Sequence, residues 1–211
     1  AEVAESSTEP STEPDFKLAA TIGPPTKNPV KGETLRIFPV MVRPKERQDA
    51  IQTTVALQDM GSSRSFADEF FTKDFNVPLQ FRVDYTSTLH GSKQGVSAEL
   101  DMEVSRDGIE WLPLDDVETY RNLRLTGPEL KWSEFVKKNP EFHEVDVGDV
   151  SFSQVRLIIG AQLEDALLPL EEPGSRIQKD GVSAYKTKLG WTIGGKLDAM
   201  IGSNRVFSIL P

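Results

Sequence analysis

The chain has 211 residues, no cysteine, two histidines and a formal net charge of −9. Zero cysteines exclude a disulfide framework, a thiolate metal site and a cysteine nucleophile, and the acidic balance argues against nucleic acid, whose phosphates call for a basic face. No apolar run approaches the ~18 residues of a membrane span and no signal peptide opens the sequence, so the expectation is no membrane partner and an intracellular, cytoplasmic location.

The length favours one domain with appendages. Residues 1–30 read as a disordered acidic tail, because Ser7-Thr8-Glu9-Pro10 repeats as Ser11-Thr12-Glu13-Pro14 with little apolar surface to bury. The domain is expected over residues 31–211, long enough to bury about 70% of its unfolded surface without staples.

From Thr34 the pattern is mainly that of strands. Leu35, Ile37, Val40, Met41 and Val42 predict the first, interrupted by Pro39. Ile51, Thr53, Val55 and Leu57 alternate and lead into Asp59. A short helix is predicted over 65–75, with Ser65 as its cap and Phe66 and Phe70 on one buried face. Leu79, Phe81, Val83 and Tyr85 alternate, as do Val96, Ala98, Leu100, Met102 and Val104, with a polar hairpin tip over 87–95 between them. Asp107-Gly108 marks a tight turn.

Residues from about 115 to 150 are the least regular and read as an insertion, with one helical turn at Trp132–Val136. Ala161–Leu168 is a second short helix, and 170–181 reads as loop. Ser183–Ile193 and Arg205–Leu210 are predicted closing strands, the residues from about 196 to 211 forming a C-terminal extension.

The chemistry concentrates at Asp59. It ends an apolar strand and opens a turn through Met60, Gly61 and Ser62, and a later apolar strand, Leu157-Ile158-Ile159, ends in Gly160. One carboxylate delivered into a glycine turn, with a supporting apolar-apolar-Gly strand, is half of an aspartic-protease site. Such hydrolysis needs two aspartates sharing a proton, one a base on water and the other polarising the scissile carbonyl. One copy per chain therefore implies that a second chain supplies the other. Gly61 is expected to let the turn close sharply, and Leu157–Gly160 to support it from behind by apolar packing.

The plainer readings are a turn aspartate in an unrelated β domain and core packing for Leu157–Gly160. His90 and His143 read as exposed loop histidines, Phe66, Phe70 and Trp191 as core, and Glu141, Glu144, Asp146 and Asp149 as a solvated face without calcium-loop spacing. Ser62, Ser63 and Ser65 form no nucleophile motif. No cofactor or metal is expected.

Asp59-x-Gly61-Ser62-x-x-Ser65-Phe66, Trp132-x-x-Phe135, Leu157-Ile158-Ile159-Gly160-Ala161 and Lys186-Thr187-Lys188-Leu189-Gly190-Trp191-Thr192-Ile193-x-Gly195 together resemble the peptidase domain of Pao/BEL-type retrotransposon polyproteins. The similarity covers most of residues 34–196. It implies a mainly β, retropepsin-like acid-protease half-barrel with a few short helices, one Asp motif per chain, and an active site formed by a homodimer. It implies Asp59 as the catalytic residue, a peptide or polyprotein substrate, and a substrate-covering flap at Leu89, His90 and Gly91. Two positions depart from the family. Met60 replaces the usual Ser or Thr, whose hydroxyl bonds across the dimer, and Gln58 stands where an apolar residue is usual. The resemblance therefore supports two functions: an aspartic endopeptidase of retrotransposon origin, or an inactive dimerisation or peptide-binding module that keeps its fold.

Overall fold

The computed structural model describes residues 33–88, 91–120, 123, 125 and 129–196. The predicted tail over 1–30, Leu89 and His90 of the flap, and Arg205–Leu210 lie outside them.

Strand β1 (Glu33–Pro44) is followed by β2 (Gln52–Gln58), β3 (Phe66–Asp68) and helix α1 (Glu69–Lys73). A long hairpin, β4 (Gln80–Thr88) and β5 (Gly91–Ser105), leads into β6 (Leu112–Tyr120). The next stretch holds β7 (Glu129–Leu130), α2 (Trp132–Lys138) and β8 (Val150–Ser151). The chain closes with β9 (Val155–Ile159), α3 (Glu164–Leu167), β10 (Arg176–Lys179), β11 (Val182–Thr187) and β12 (Gly190–Lys196).

The fold is mainly β, with a six-stranded barrel in the order β1-β2-β9-β3-β6-β5, closed where Met41–Pro44 of β1 pair with Met102–Ser105 of β5. β9 lies between β2, to which it is parallel, and β3, to which it is antiparallel. β4 pairs on the outer side of β5, and β12, β11 and β10 extend the sheet from the first half of β1.

Two apolar cores follow from the alternation of side chains across the barrel wall. One takes residues from all six barrel strands, among them Phe38, Ala56, Ala67, Met102, Leu114 and Leu157, and so fills the interior. The other takes Ile37, Val55, Leu57, Val155 and Ile158 from the outer face of β1, β2 and β9. That face would be left in water by the barrel alone. It is covered by Trp132, Phe135 and Phe142 from the segment between β6 and β9, and by Val182, Ala184, Trp191 and Ile193 from the C-terminal meander. The insertion therefore builds core. Trp132 stacks on Phe135 at 5.0 Å, meets Phe142 edge-on at 5.7 Å, and donates its indole N–H to the Val145 carbonyl at 2.8 Å.

Several expectations are corrected. Residues 66–68 are a strand, because they slot between β6 and β9, and only 69–73 are helical. The cap is Asp68, whose Oδ1 accepts from the N–H groups of Phe70 and Phe71, while Ser65 is buried elsewhere. Phe66 packs edge-on against Tyr120, but Phe70 is exposed. Ile51 is also exposed, and Thr54 to Gln58 are all buried because β2 is covered on both faces. Residues 115–120 are barrel strand, 176–179 form β10 within the predicted loop, and 183–193 divide into two strands at a turn through Lys188 and Leu189. The hairpin strands reach Thr88 and Gly91, paired with each other, so the tip is shorter than its polar composition suggested. The alternating Phe81 and Val83 project into solvent, Phe81 being 76% exposed. No helix among the described residues is long and apolar enough to cross a membrane.

Candidate functional site

Asp59 stands at the rim of the barrel, where β2 leaves the sheet. Its N–H donates to the Ile159 carbonyl at 3.0 Å, the last rung between β2 and β9. The chain then folds back on itself. The Ser62 N–H donates to the Asp59 carbonyl at 3.1 Å, and the Gly61 N–H donates to Asp59 Oδ1 at 3.0 Å. The carboxylate thus accepts from its own turn, which fixes its rotamer. Asp59, Met60 and Gly61 are exposed, and Ser62 is half-buried.

The turn is stitched to the end of β9 from both sides. The Ala161 N–H donates to the Ser62 carbonyl at 2.8 Å, and the Gly160 N–H donates to the buried Ser65 Oγ at 3.1 Å. The Ser65 N–H donates to Gln162 Oε1 at 2.7 Å, and Gln162 in turn donates from Nε2 to the Asp115 carbonyl at 3.0 Å. The Ser62 hydroxyl donates to the Arg64 carbonyl at 2.8 Å, which occupies it locally. Gly160 is where loop and strand touch: a Cβ there would lie 2.3 Å from the Arg64 carbonyl oxygen and 2.7 Å from that of Ser62. Its backbone is extended, with φ −85°, so it is glycine for space and not for conformation.

The support from Leu157–Gly160 is therefore only partly apolar. Leu157 and Ile159 face the barrel interior and Ile158 the outer core, while the contact with the turn itself is main-chain hydrogen bonding at Ile159 and Gly160. Gly61 also departs from expectation. It is not among the left-handed glycines, and the nearest atom to a Cβ there would be Asp59 Oδ1, at 3.2 Å. The sharpness of the turn comes from the hydrogen bonds around it.

Arg64 carries the turn onto the hairpin. Its Nη1 lies 3.1 Å from Glu99 Oε1 and 3.7 Å from Glu118 Oε2, two buried carboxylates directly opposite each other on β5 and β6. The two carboxylates are buried but the Arg64 side chain is 37% exposed, so solvent screens part of the attraction; the contact joins the turn to β5 and β6. Arg64 and Gln162 are positioning residues that the sequence did not single out, while Ser65, expected as a helix cap, instead holds the end of β9 to the turn.

Gln58 precedes Asp59 and is only 8% exposed, and its Oε1 is buried without a hydrogen-bond partner. Met60 follows Asp59 with 39% of its surface exposed. Of the flap residues, Gly91 opens β5. His143 is exposed near Glu144, with Nε2 at 3.7 Å from Oε1. Among the described residues no group of three His, Cys, Asp or Glu could hold a metal ion.

The arrangement presents one rigidly oriented, solvent-facing carboxylate. Alone it can accept a proton from water; polarising a carbonyl at the same time needs a second acid. No family model, curated protein or solved structure matches the chain.

Proposed function

We propose that this chain is one half of a homodimeric, retropepsin-like aspartic endopeptidase of retrotransposon origin, with Asp59 of each copy forming the catalytic pair. The observation that carries the reading is the placement of Asp59: exposed at the rim of a closed barrel, on a turn clamped across a glycine at the end of β9. The hairpin of β4 and β5, reached from the same turn through Arg64, is the element suited to lie over an extended peptide.

In such a dimer the two Asp59 carboxylates hold a single proton, because like charges about 3 Å apart do not both ionise. The ionised one takes a proton from water as the water oxygen bonds to the scissile carbonyl carbon. The protonated one gives its proton to the carbonyl oxygen, yielding a tetrahedral diol. The carboxylic acid then returns its proton to the amide nitrogen while the other carboxylate takes a hydroxyl proton from the diol, so the carbonyl re-forms as the C–N bond breaks and the pair again holds one proton. Rate is expected to peak at acidic to mildly acidic pH, where the pair is singly protonated.

Met60 motivates a second reading, an inactive module with the same fold. A thioether is a weak acceptor and no donor, so it cannot hydrogen-bond the partner loop as a serine or threonine hydroxyl does. The test incubates the full chain and its Asp59→Asn variant with a peptide library across acidic to neutral pH, recording cleavage and molecular mass together. Cleavage by the native dimer and not by the variant supports the peptidase. A dimer that cleaves nothing at any pH supports the inactive module.

A further inference from the structure

We propose that the outer edge of β4 is a self-association surface, on which a second copy of this chain pairs β4 against β4, antiparallel, about a two-fold axis through Val83. The contact uses no residue of the Asp59 turn and stands without the peptidase reading.

The sheet leaves few places for another strand. β1 has β2 along one edge, while β12 and β5 divide the other, at Glu33–Ile37 and Met41–Pro44. Among the described residues only β10 and β4 end the sheet. β10 is four residues long and carries Arg176 and Lys179 with no acid, a short cationic edge that discourages pairing with itself. β4 is different. All nine of its residues, Gln80–Thr88, pair with β5 on one side, and the other side meets no described strand. It has none of the features that blunt an edge: no proline, no bulge in its register with β5, and one charge of each sign. Phe81 and Val83 are 76% and 55% exposed on it.

An open edge offers main-chain hydrogen bonds to a strand of any sequence, so the order of residues along β4 selects the occupant. With the axis at Val83, Arg82 stands opposite Asp84 of the partner subunit, and Asp84 opposite Arg82 of the partner subunit. Phe81 stands opposite Tyr85 of the partner subunit. Opposite charges and aromatic pairs are the cross-strand combinations that stabilise a sheet. An axis through Arg82 sets arginine against arginine, and one through Asp84 sets aspartate against aspartate; like charges so placed repel. Only the axis at Val83 matches both charges. Such an axis, perpendicular to the sheet, also keeps Phe81 and Val83 of both copies on one face, as a continuous apolar strip. β4 is complementary to itself, which makes the occupant another copy of this chain.

The chain has no cysteine, so one introduced thiol reports proximity cleanly. Residues directly opposite on antiparallel strands have Cα atoms about 4.5–5.5 Å apart, within reach of a disulfide. The full-length Val83→Cys variant is expected to form covalent dimer under mild oxidation. Gln80→Cys, exposed on the same strand but three residues from the axis, lies about 20 Å from its counterpart and is expected to stay monomeric. Added to Val83→Cys, Arg82→Glu or Asp84→Arg is expected to slow crosslinking roughly tenfold, and the two together to restore it. The single reversals change the charge beside the thiol in opposite directions, so a direct effect on its reactivity would not slow both. Circular dichroism checks each fold; Val83→Cys, at an exposed site, carries the test alone where a charge reversal disturbs it. Crosslinking of Val83→Cys no faster than Gln80→Cys, or a folded double reversal that crosslinks no faster than the single ones, overturns the proposal.

Discussion

Replacing Gly160 by alanine tests whether the end of β9 really sets the position of Asp59. The new Cβ would stand 2.3 Å from the Arg64 carbonyl oxygen and 2.7 Å from both the Arg64 carbonyl carbon and the Ser62 carbonyl oxygen. All three are backbone atoms, so no side chain can rotate out of the way. Reaching even the 3.0 Å floor of real Cβ contacts moves loop and strand apart by about 0.7 Å. That displacement pulls on the bonds from Ala161 to Ser62 and from Gly160 to Ser65, at 2.8 and 3.1 Å. Overpacking of this kind costs about 1–3 kcal/mol, and the strained hydrogen bonds place the expectation at the upper end. The assay is urea unfolding at one fixed protein concentration, read as a lower midpoint with unchanged slope. If the chain cleaves peptides, the same shift should cost on the order of a hundredfold in rate, since about 1 Å of misplacement does so. Gly61→Ala is the control: its Cβ meets only Asp59 Oδ1, at 3.2 Å, with ordinary backbone angles, so its stability loss should stay below about 1 kcal/mol. A Gly160→Ala chain as stable and as active as the native one would refute the clamp.

Two further substitutions probe the cores. Gln58→Leu removes a buried, unpartnered carbonyl oxygen from the residue before Asp59, and is expected to raise stability by about 1 kcal/mol in the same assay; a loss instead would mean the amide is satisfied. Trp132→Ala empties the aromatic cluster against the barrel wall and should lower stability by about 3–5 kcal/mol, whereas an insertion that merely lay over a groove would lose under about 1 kcal/mol.

The order of elements around Asp59 was legible because it is written in local chemistry. Alternation marked the barrel strands, a carboxylate in a glycine turn marked the end of β2, and Leu157–Gly160 announced a buried strand with a stop. What failed was assignment where local propensity competes with a neighbour. Residues 66–68 have helical spacing with 70 but lie between β6 and β9, and the ladder bonds on both sides outweigh propensity. Phe70 and Phe81 are apolar, yet they are exposed on faces that no described element covers. The insertion's role was invisible, because the apolar outer face of β1, β2 and β9 exists only once the barrel has closed.

By itself, then, the sequence determined a strand-rich chain with one poised aspartate, since period and turn chemistry act over a few residues. The tertiary structure alone decided that Gly160 is required for space, that Ser65, Gln162 and Arg64 hold the turn, and that both edges of β1 are filled. Those facts depend on atoms brought to 2.7–3.1 Å from positions 35 to 97 residues apart, as between Arg64 and Glu99 or between Ser65 and Gln162. No local pattern encodes such distances; closure of the barrel does.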